Sequence, residues 1–195
     1  MREILKKITK KYIILSVSLL SLAISYTSFP VSSLPLPSDN YEFIFCSGAG
    51  AWETRFSVDR DGSFTGYYYD ANMGEMNEDY PKGTMAVCAF SGKFSSFGKI
   101  NDYSYKMMLS NVKEDFTAGE SWIKDGIKYI AARPYGIEEG KEYILYLPDT
   151  PLDHVSAEFY SWWPLRYDQD EDPKETLSCY GIYNLNTGYG FFDVY

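Results

Sequence analysis

Histidine and cysteine are scarce in this sequence, which has one histidine and three cysteines among 195 residues. His154 is thus the only imidazole, and no serine nucleophile motif accompanies it, so Ser-His or Cys-His catalysis has little basis. Cys46, Cys88 and Cys179 contain no Cys-x-x-Cys pair, and their spacing matches no zinc pattern. We therefore expect no enzymatic activity, no cofactor and no metal site.

Long hydrophobic runs are also missing. The apolar run from Tyr12 to Ile24 falls short of the roughly 20 residues that span a bilayer comfortably, but it has the length of a signal-peptide core, about 7 to 15 residues. Small residues at Ala23 and Ser25, or at Val31 and Ser33, offer cleavage sites after it. We expect a signal peptide at residues 1–25, with a cut as late as residue 33 as the alternative, and a protein that is secreted or on the cell-envelope exterior. An uncleaved N-terminal segment is the one route to the membrane that we expect.

Positive charge is concentrated at the N-terminus. Residues 1–25 carry +4 and the whole chain carries −9, so the remainder carries −13. Such an acidic surface repels phosphate backbones and anionic lipids, which argues against nucleic acid and membrane surfaces as partners. A small ligand, a glycan or a basic protein fits better. In an exported chain the odd number of cysteines leaves at least one free thiol, and either one disulfide or three buried thiols satisfies this count.

Helical periodicity is rare, whereas alternation of apolar and polar residues is frequent. Trp52, Thr54, Phe56 and Val58 share one face of a predicted strand, and Asp59–Gly62 then predicts a tight turn. About nine or ten short strands at close spacing predict an all-β fold, mainly antiparallel, as a lipocalin-like barrel or a β-sandwich. The chain divides into the signal peptide, a Pro/Ser-rich linker at 26–40 and a single β-rich domain at 41–195. The predicted strands are 41–46, 52–59, 63–69, 84–90, 103–112, 127–132, 142–147, 177–183 and 189–194.

Two further segments show other patterns. Pro151 to Trp163 predicts a helix of about three turns that caps a barrel mouth or a sheet edge. Residues 113–125 are polar and predict a loop or a short turn of helix. Asp168 to Pro173 predicts an acidic loop, which lacks the glycine of a specific EF-hand.

Aromatic residues are abundant, with 19 tyrosines and 12 phenylalanines. Successive side chains of a strand point to opposite faces, so at least one of Tyr67, Tyr68 and Tyr69 faces outward. Exposed rings beside acidic groups can stack on sugars or hold cations, although tyrosines also suit half-buried β-surfaces. We take Tyr67, Tyr69 and Glu75 as candidate ligand-binding residues because they combine rings and a carboxylate on one strand and its following loop.

Several short segments resemble a family of uncharacterised exported proteins of Gram-positive gut bacteria, a likeness that covers most of the mature chain. It implies export and no particular activity. The segments are Ser47-Gly48-Ala49-Gly50-Ala51-Trp52, Asp61-Gly62-Ser63-Phe64, Phe90-Ser91-Gly92, Pro134-Tyr135-Gly136, Leu145-Tyr146-Leu147-Pro148 and Tyr180-Gly181.

Gly50-Ala51-Trp52 also looks like the Gly-x-Trp opening of lipocalin-type barrels, and Asn101-Asp102-Tyr103 is similar to their later Thr-Asp-Tyr turn. This resemblance implies that Trp52 plugs the closed end of a barrel, and it adds Trp52 to the candidate ligand-binding residues.

Export, aromatic richness and the missing catalytic groups favour a noncatalytic binding module for a small apolar molecule or a glycan. One alternative is a secreted protein-protein interaction module with an acidic, tyrosine-rich surface. Another is a carboxylate-dependent glycan hydrolase that uses Glu75, Glu78 and Asp79.

Overall fold

The computed structural model of the chain describes residues 28–164 and 174–193. The predicted signal peptide at 1–25 and the acidic loop Asp168 to Pro173 lie outside the described residues. The described part contains eleven strands and one short α-helix, α1 (Ala157–Trp162), which follows a 3₁₀ turn at Leu152–His154. The strands are β1 (Phe29–Pro30), β2 (Tyr41–Cys46), β3 (Trp52–Val58), β4 (Ser63–Asn72), β5 (Thr84–Lys99), β6 (Ser104–Glu114), β7 (Ser121–Lys124), β8 (Ile127–Ala131), β9 (Glu142–Tyr146), β10 (Gly181–Asn184) and β11 (Gly190–Phe192).

Eight antiparallel strands close into a barrel. The order around the barrel is β2, β3, β4, β5, β6, β9, β10 and β11, and the pairing of β11 with β2 at Phe192 and Ile44 completes the ring. Barrel strands that follow one another along the chain thus pair with one another. β7 and β8, which lie between β6 and β9 in the sequence, are outside the barrel. The predicted barrel is confirmed, and the sandwich alternative is wrong because closure leaves one continuous wall.

The hairpin between β3 and β4 forms as the sequence predicts. Gly62 adopts a φ of +85°, and its N–H donates to the Asp59 carbonyl at 2.8 Å. The register that follows sets Val58 opposite Phe64 and Phe56 opposite Gly66. Alternate residues of β3 therefore face the barrel interior, as their alternation indicates.

Phenylalanine rings fill the barrel interior so closely that glycines are needed opposite them. A Cβ at Gly66 would lie 2.4 Å from Cζ of Phe90, and one at Gly92 would lie 2.3 Å from Cζ of Phe64. Rings therefore lie directly over the bare backbone of neighbouring strands. The interior is solid protein, built from Phe43, Phe45, Phe56, Val58, Phe64, Tyr68, Phe90, Phe94, Met107, Tyr143, Leu145, Ile182 and Phe191.

Two chain segments close the ends of the barrel. At one end the Pro134–Gly140 loop buries Ile137, and its backbone carbonyls accept hydrogen bonds from Thr54 and Asn184 at 2.8 Å each. At the other end Leu34 and Leu36 are buried in the barrel core. The predicted linker at 26–40 is therefore not a free spacer in its described part, because its apolar residues seal this end.

The sheet continues outside the barrel. The first half of β5 pairs with β4 on one side and, in parallel, with β8 on the other, while its second half pairs with β6. β7 pairs antiparallel with β8 through a turn in which Asp125 and Gly126 both have positive φ. The prediction of a loop or helical turn for 113–125 is thus wrong for Ser121–Lys124. The sequence of β7 does not predict a strand because this edge strand has a single large outward ring, Trp122, and shows little alternation of apolar and polar residues.

The predicted helix from Pro151 to Trp163 is divided in two. Val155 is extended, and the Ser156 hydroxyl caps α1 by accepting from the Phe159 N–H at 3.1 Å. Phe159 packs on the outer face of the barrel, where its ring contacts Tyr146, Tyr183 and Phe192. The helix therefore covers the outer wall of β9, β10 and β11, and only Trp162 reaches the core aromatics near the barrel end.

Candidate functional site

An aromatic groove lies on the outer face of the sheet formed by β4, β5, β8 and β7. Its volume is about 310 Å³. We call it the outer groove, and its lining residues are Tyr67, Val87, Ala89, Phe116, Trp122, Lys124 and Tyr129. Since the barrel interior is filled, this outer face is the better candidate for ligand binding.

Strand register creates the shape of the groove. Tyr67 of β4 lies opposite Ala89 of β5, and Tyr129 of β8 lies opposite Trp122 of β7. Small side chains on β5 thus separate large rings on both sides. The outer groove is a floor of Val87 and Ala89 between two aromatic walls.

The rings of the groove are in contact with one another. Trp122 and Tyr129 lie nearly parallel, with centroids 5.6 Å apart and an interplanar angle of 11°. Phe116 lies 5.1 Å from Trp122, and Tyr69 lies 6.1 Å from Tyr67. Such mutual contacts hold the rings in place before a ligand arrives, which lowers the entropy that binding must overcome.

Polar groups accompany the rings. Partial burial raises the pKa of Tyr67, and the nearby hydroxyls of Tyr129 and Tyr69 raise it further. The Tyr67 phenol is therefore neutral at pH 7 and presents an O–H group that both donates and accepts hydrogen bonds. Lys124 adds an ammonium group from the same strand face as Trp122.

A charged network lies beside the tyrosines on β2 and β3. Arg55, which is opposite Tyr67 in the sheet, binds Glu42 at 2.6 Å and Glu53 at 2.9 Å. The hydrogen bond to Glu53 is the main reason that the pKa of Arg55 is raised. Since these three charges neutralise one another in part, they form a polar border to the groove.

The structure brings together only two of the four predicted ligand-binding residues. Tyr67 lines the outer groove with 44% of its surface exposed, and Tyr69 stands beside it. Trp52 instead faces inward at the barrel end, where it packs on Phe45 and Tyr135 at 4.8 and 5.3 Å. Glu75 lies in the following loop, where it accepts a 3.4 Å hydrogen bond from the buried Thr84.

Sequence reasoning missed the other half of the groove. Phe116, Trp122, Lys124 and Tyr129 were not singled out, because they lie at least 27 positions beyond Ala89 in the chain. The Asp125-Gly126 pair between apolar residues was an available hairpin signal. It could have placed β7 and β8, but not the parallel pairing of β8 with β5.

The chemically reactive residues lie away from the groove. His154 is half-exposed beside Asp153 and Tyr103. The three cysteines are free thiols; Cys88 and Cys179 are buried, whereas Cys46 is partly exposed. Burial raises the pKa of the Cys88 and Cys179 thiols to about 12, which keeps both protonated.

Two carboxyl groups near the barrel ends have a buried oxygen atom: Asp193 is buried as a residue, and Glu138 is half-buried. Asp193 accepts a short hydrogen bond from the Tyr41 hydroxyl, and its other oxygen has no partner among the described residues. Glu138, in the Pro134–Gly140 loop, also has one side-chain oxygen without a hydrogen-bond partner among the described residues. Burial is the main cause that raises the pKa of each group. Within residues 28–164 and 174–193, no group of three or more His, Cys, Asp or Glu side chains could hold a metal ion.

A second hollow, of about 420 Å³, lies between Cys46–Gly48 and the end of α1. Trp162, Trp163 and Pro164 line it, and the described chain stops at Pro164. The outer groove is the better defined candidate because its described strands enclose it on both sides. Among the described helices, none has the length and apolar character to cross a membrane.

Comparison of the chain with protein-family models, with curated proteins and with solved structures finds no match. The site must therefore be interpreted from its own geometry.

Proposed function

We propose that this protein is an exported, noncatalytic binding module that holds a glycan in the outer groove. The observation that carries the proposal is the pair of aromatic walls, Tyr67 with Tyr69 and Trp122 with Tyr129, on either side of a small-residue floor. Pyranose rings have apolar C–H faces and polar edges. Flat aromatic rings with adjacent hydroxyl groups complement both features.

The solid barrel interior supports an external site. A small apolar ligand inside the barrel would have to displace buried phenylalanines such as Phe43, Phe56 and Phe94, which are at most 1% exposed. Emptying such positions costs a few kcal/mol for each large side chain. The groove volume of about 310 Å³ lies at the lower end of the range for small-ligand sites, which suits one or two sugar rings.

The experiment that tests the proposal is a glycan array followed by calorimetry with the purified protein and the best glycan. Trp122→Ala should weaken binding about fivefold or more, because stacking on an aromatic ring contributes on the order of 1 kcal/mol or more. The matched control is Ile123→Ala, since Ile123 is the next residue of β7, is half-exposed and points to the opposite face. Equal affinities for the two variants, or no glycan bound by the protein, would overturn the proposal.

A second candidate function is protein-protein interaction through the loop between β4 and β5. Met73 and Met76 are 74% and 59% exposed there, beside the exposed acidic residues Glu75, Glu78 and Asp79. Exposed methionines next to acidic groups suit a basic, apolar partner. Such binding should weaken as ionic strength rises and should be lost in a Met73→Ser, Met76→Ser double variant, whereas glycan binding should not respond to that variant.

A further inference from the structure

The outer groove contains a cation that has no anionic partner among the described residues. Lys124 lines the groove and forms no ion pair with any carboxylate of the described residues. Lys93, Lys99 and Lys106, by contrast, each bind an acidic side chain at 2.6 to 2.8 Å. The ammonium group of Lys124 is therefore available to a negatively charged group of a ligand in the groove.

The spacing of Lys124 from Trp122 suits a charged sugar. Residues two apart on a strand point to the same face, with Cα atoms roughly 6.6 Å apart. A pyranose stacked on Trp122 would extend an exocyclic carboxylate over about this distance. The flexible lysine stem would then let Nζ reach that carboxylate.

The acidic residues beside the groove form no ion pair with Lys124 among the described residues. Glu114 lies opposite Phe90 at the end of β6, and the Asp115 N–H donates to the Ala89 carbonyl at 3.0 Å. Glu42 and Glu53 are held by Arg55. The overall acidity of the protein is screened within about 8 Å at physiological salt, so the local ammonium group decides the charge preference of the groove.

We propose, building on the glycan-binding function above, that the ligand of the outer groove is an acidic glycan whose uronic acid carboxylate binds Lys124. Trp122, Tyr129 and Tyr67 contact the sugar rings, and Lys124 selects the carboxylate. No other basic residue lines the groove among the described residues. One substitution therefore removes the charge preference and leaves the aromatic walls intact.

The test compares matched probes by calorimetry with the purified protein. The probes are oligomers of galacturonic, glucuronic and mannuronic acid, each beside its fully methyl-esterified form, which keeps the rings and removes the charge. For at least one pair we expect the acid form to bind three- to tenfold more tightly at physiological salt, as for a partly exposed charge-assisted hydrogen bond. Lys124→Gln should abolish this difference, while Lys113→Gln, which removes an exposed lysine of β6, should preserve it.

The outcomes separate this inference from the function on which it rests. Ester forms that bind as tightly as acid forms, with Trp122→Ala still disrupting both, would overturn the acidic preference and leave glycan binding in place. A charge preference that survives in Lys124→Gln would also overturn it. Absence of binding to every acid, every ester and every neutral glycan of the array would overturn both proposals.

Discussion

At the scale of single residues, two kinds of position carry the most information: glycines under aromatic rings and carboxyl groups without partners. Gly181 lies beneath the ring of Phe159, and a Cβ there would stand 2.4 Å from Cζ of that ring. Asp193 is 7% exposed and keeps one oxygen without a hydrogen bond among the described residues. A larger residue at position 181 would clash with the Phe159 ring, and the charged form of Asp193 would be poorly solvated.

Gly181→Ala should destabilise the protein by about 1 to 3 kcal/mol, because Phe159 is fully buried and has no free volume into which it can move. The measurement is urea unfolding followed by circular dichroism. Gly74→Ala is the control, since the nearest atom to its added Cβ is the Asn72 side-chain oxygen at 3.4 Å. Similar stability of the two variants would contradict the tight packing of α1 on the barrel.

Asp193→Asn should change the pH dependence of stability. Burial raises the pKa of Asp193 in the folded state, so its contribution is fully present below the unfolded pKa and is lost as pH rises through the folded pKa. Asparagine does not ionise, so the variant does not lose this stability as pH rises. Its side-chain oxygen can still accept a hydrogen bond from the Tyr41 hydroxyl. We expect the variant to gain on the order of 1 kcal/mol over the wild type between pH 4 and pH 7.

Thermal unfolding at a series of pH values measures this effect. Glu120→Gln, at an exposed position, serves as the control. A variant that is destabilised equally at pH 4 and pH 7 would show that the Tyr41 contact requires the carboxyl group itself.

At the scale of elements, the segment before β2 is part of the barrel and not a tether. β1 pairs with the end of β5, the Leu34 N–H donates to the Arg60 carbonyl at 2.8 Å, and the Arg60 side chain donates to the Leu36 carbonyl at 2.9 Å. These bonds direct Leu34 and Leu36 into the open end of the barrel. A short apolar segment thus provides a closure that no strand provides.

Leu34→Ala should therefore destabilise the domain by about 2 to 5 kcal/mol, the range for a buried leucine truncated in a core. Ser33→Ala, at the exposed position before it, should stay within about 0.5 kcal/mol of the wild type. Chemical denaturation of the two variants measures both values. If Leu34→Ala behaved like Ser33→Ala, the segment would be an ordinary linker.

Local patterns located most of the elements. The hairpin of β3 and β4 follows from alternation and from Gly62, and both are readable in ten to fifteen residues of sequence. The full length of β5 was not readable, because Ser91 to Lys99 carries serine and glycine at positions where a strand prediction ends. Those residues continue the strand because β6 and β1 pair with them, with an irregularity at Ser96, whose φ is +53°.

At the scale of the whole molecule, the Pro134–Gly140 loop and the segment with Leu34 and Leu36 close opposite ends of the barrel. The outer face that contains the outer groove is left for binding. Both predicted cleavage positions retain Leu34 and Leu36, but only the earlier one retains β1. Loss of β1 would free the edge of β5 at Gly98 and Lys99. A cut after Ser25 therefore keeps β1 paired with the end of β5.

We expect the mature protein in a culture of an expressing bacterium to begin at Tyr26, in the extracellular or cell-wall fraction. Intact mass and N-terminal sequencing measure this directly. Replacement of the apolar residues Leu19 and Leu20 by arginine should retain the chain inside the cell, because a charged core no longer acts as a signal peptide. Export that persists in this variant would contradict the proposed localisation.

The sequence by itself determined the all-β class, the inward face of strands such as β3 and the outward direction of at least one of the three successive tyrosines at 67–69, because side-chain alternation is a local property of an extended chain. Only the tertiary structure decided that the barrel is solid and that Tyr67 faces a second aromatic wall. That wall depends on the parallel pairing of Met85 with Tyr129, 44 positions away, and no local pattern specifies which distant strand will pair with a free edge.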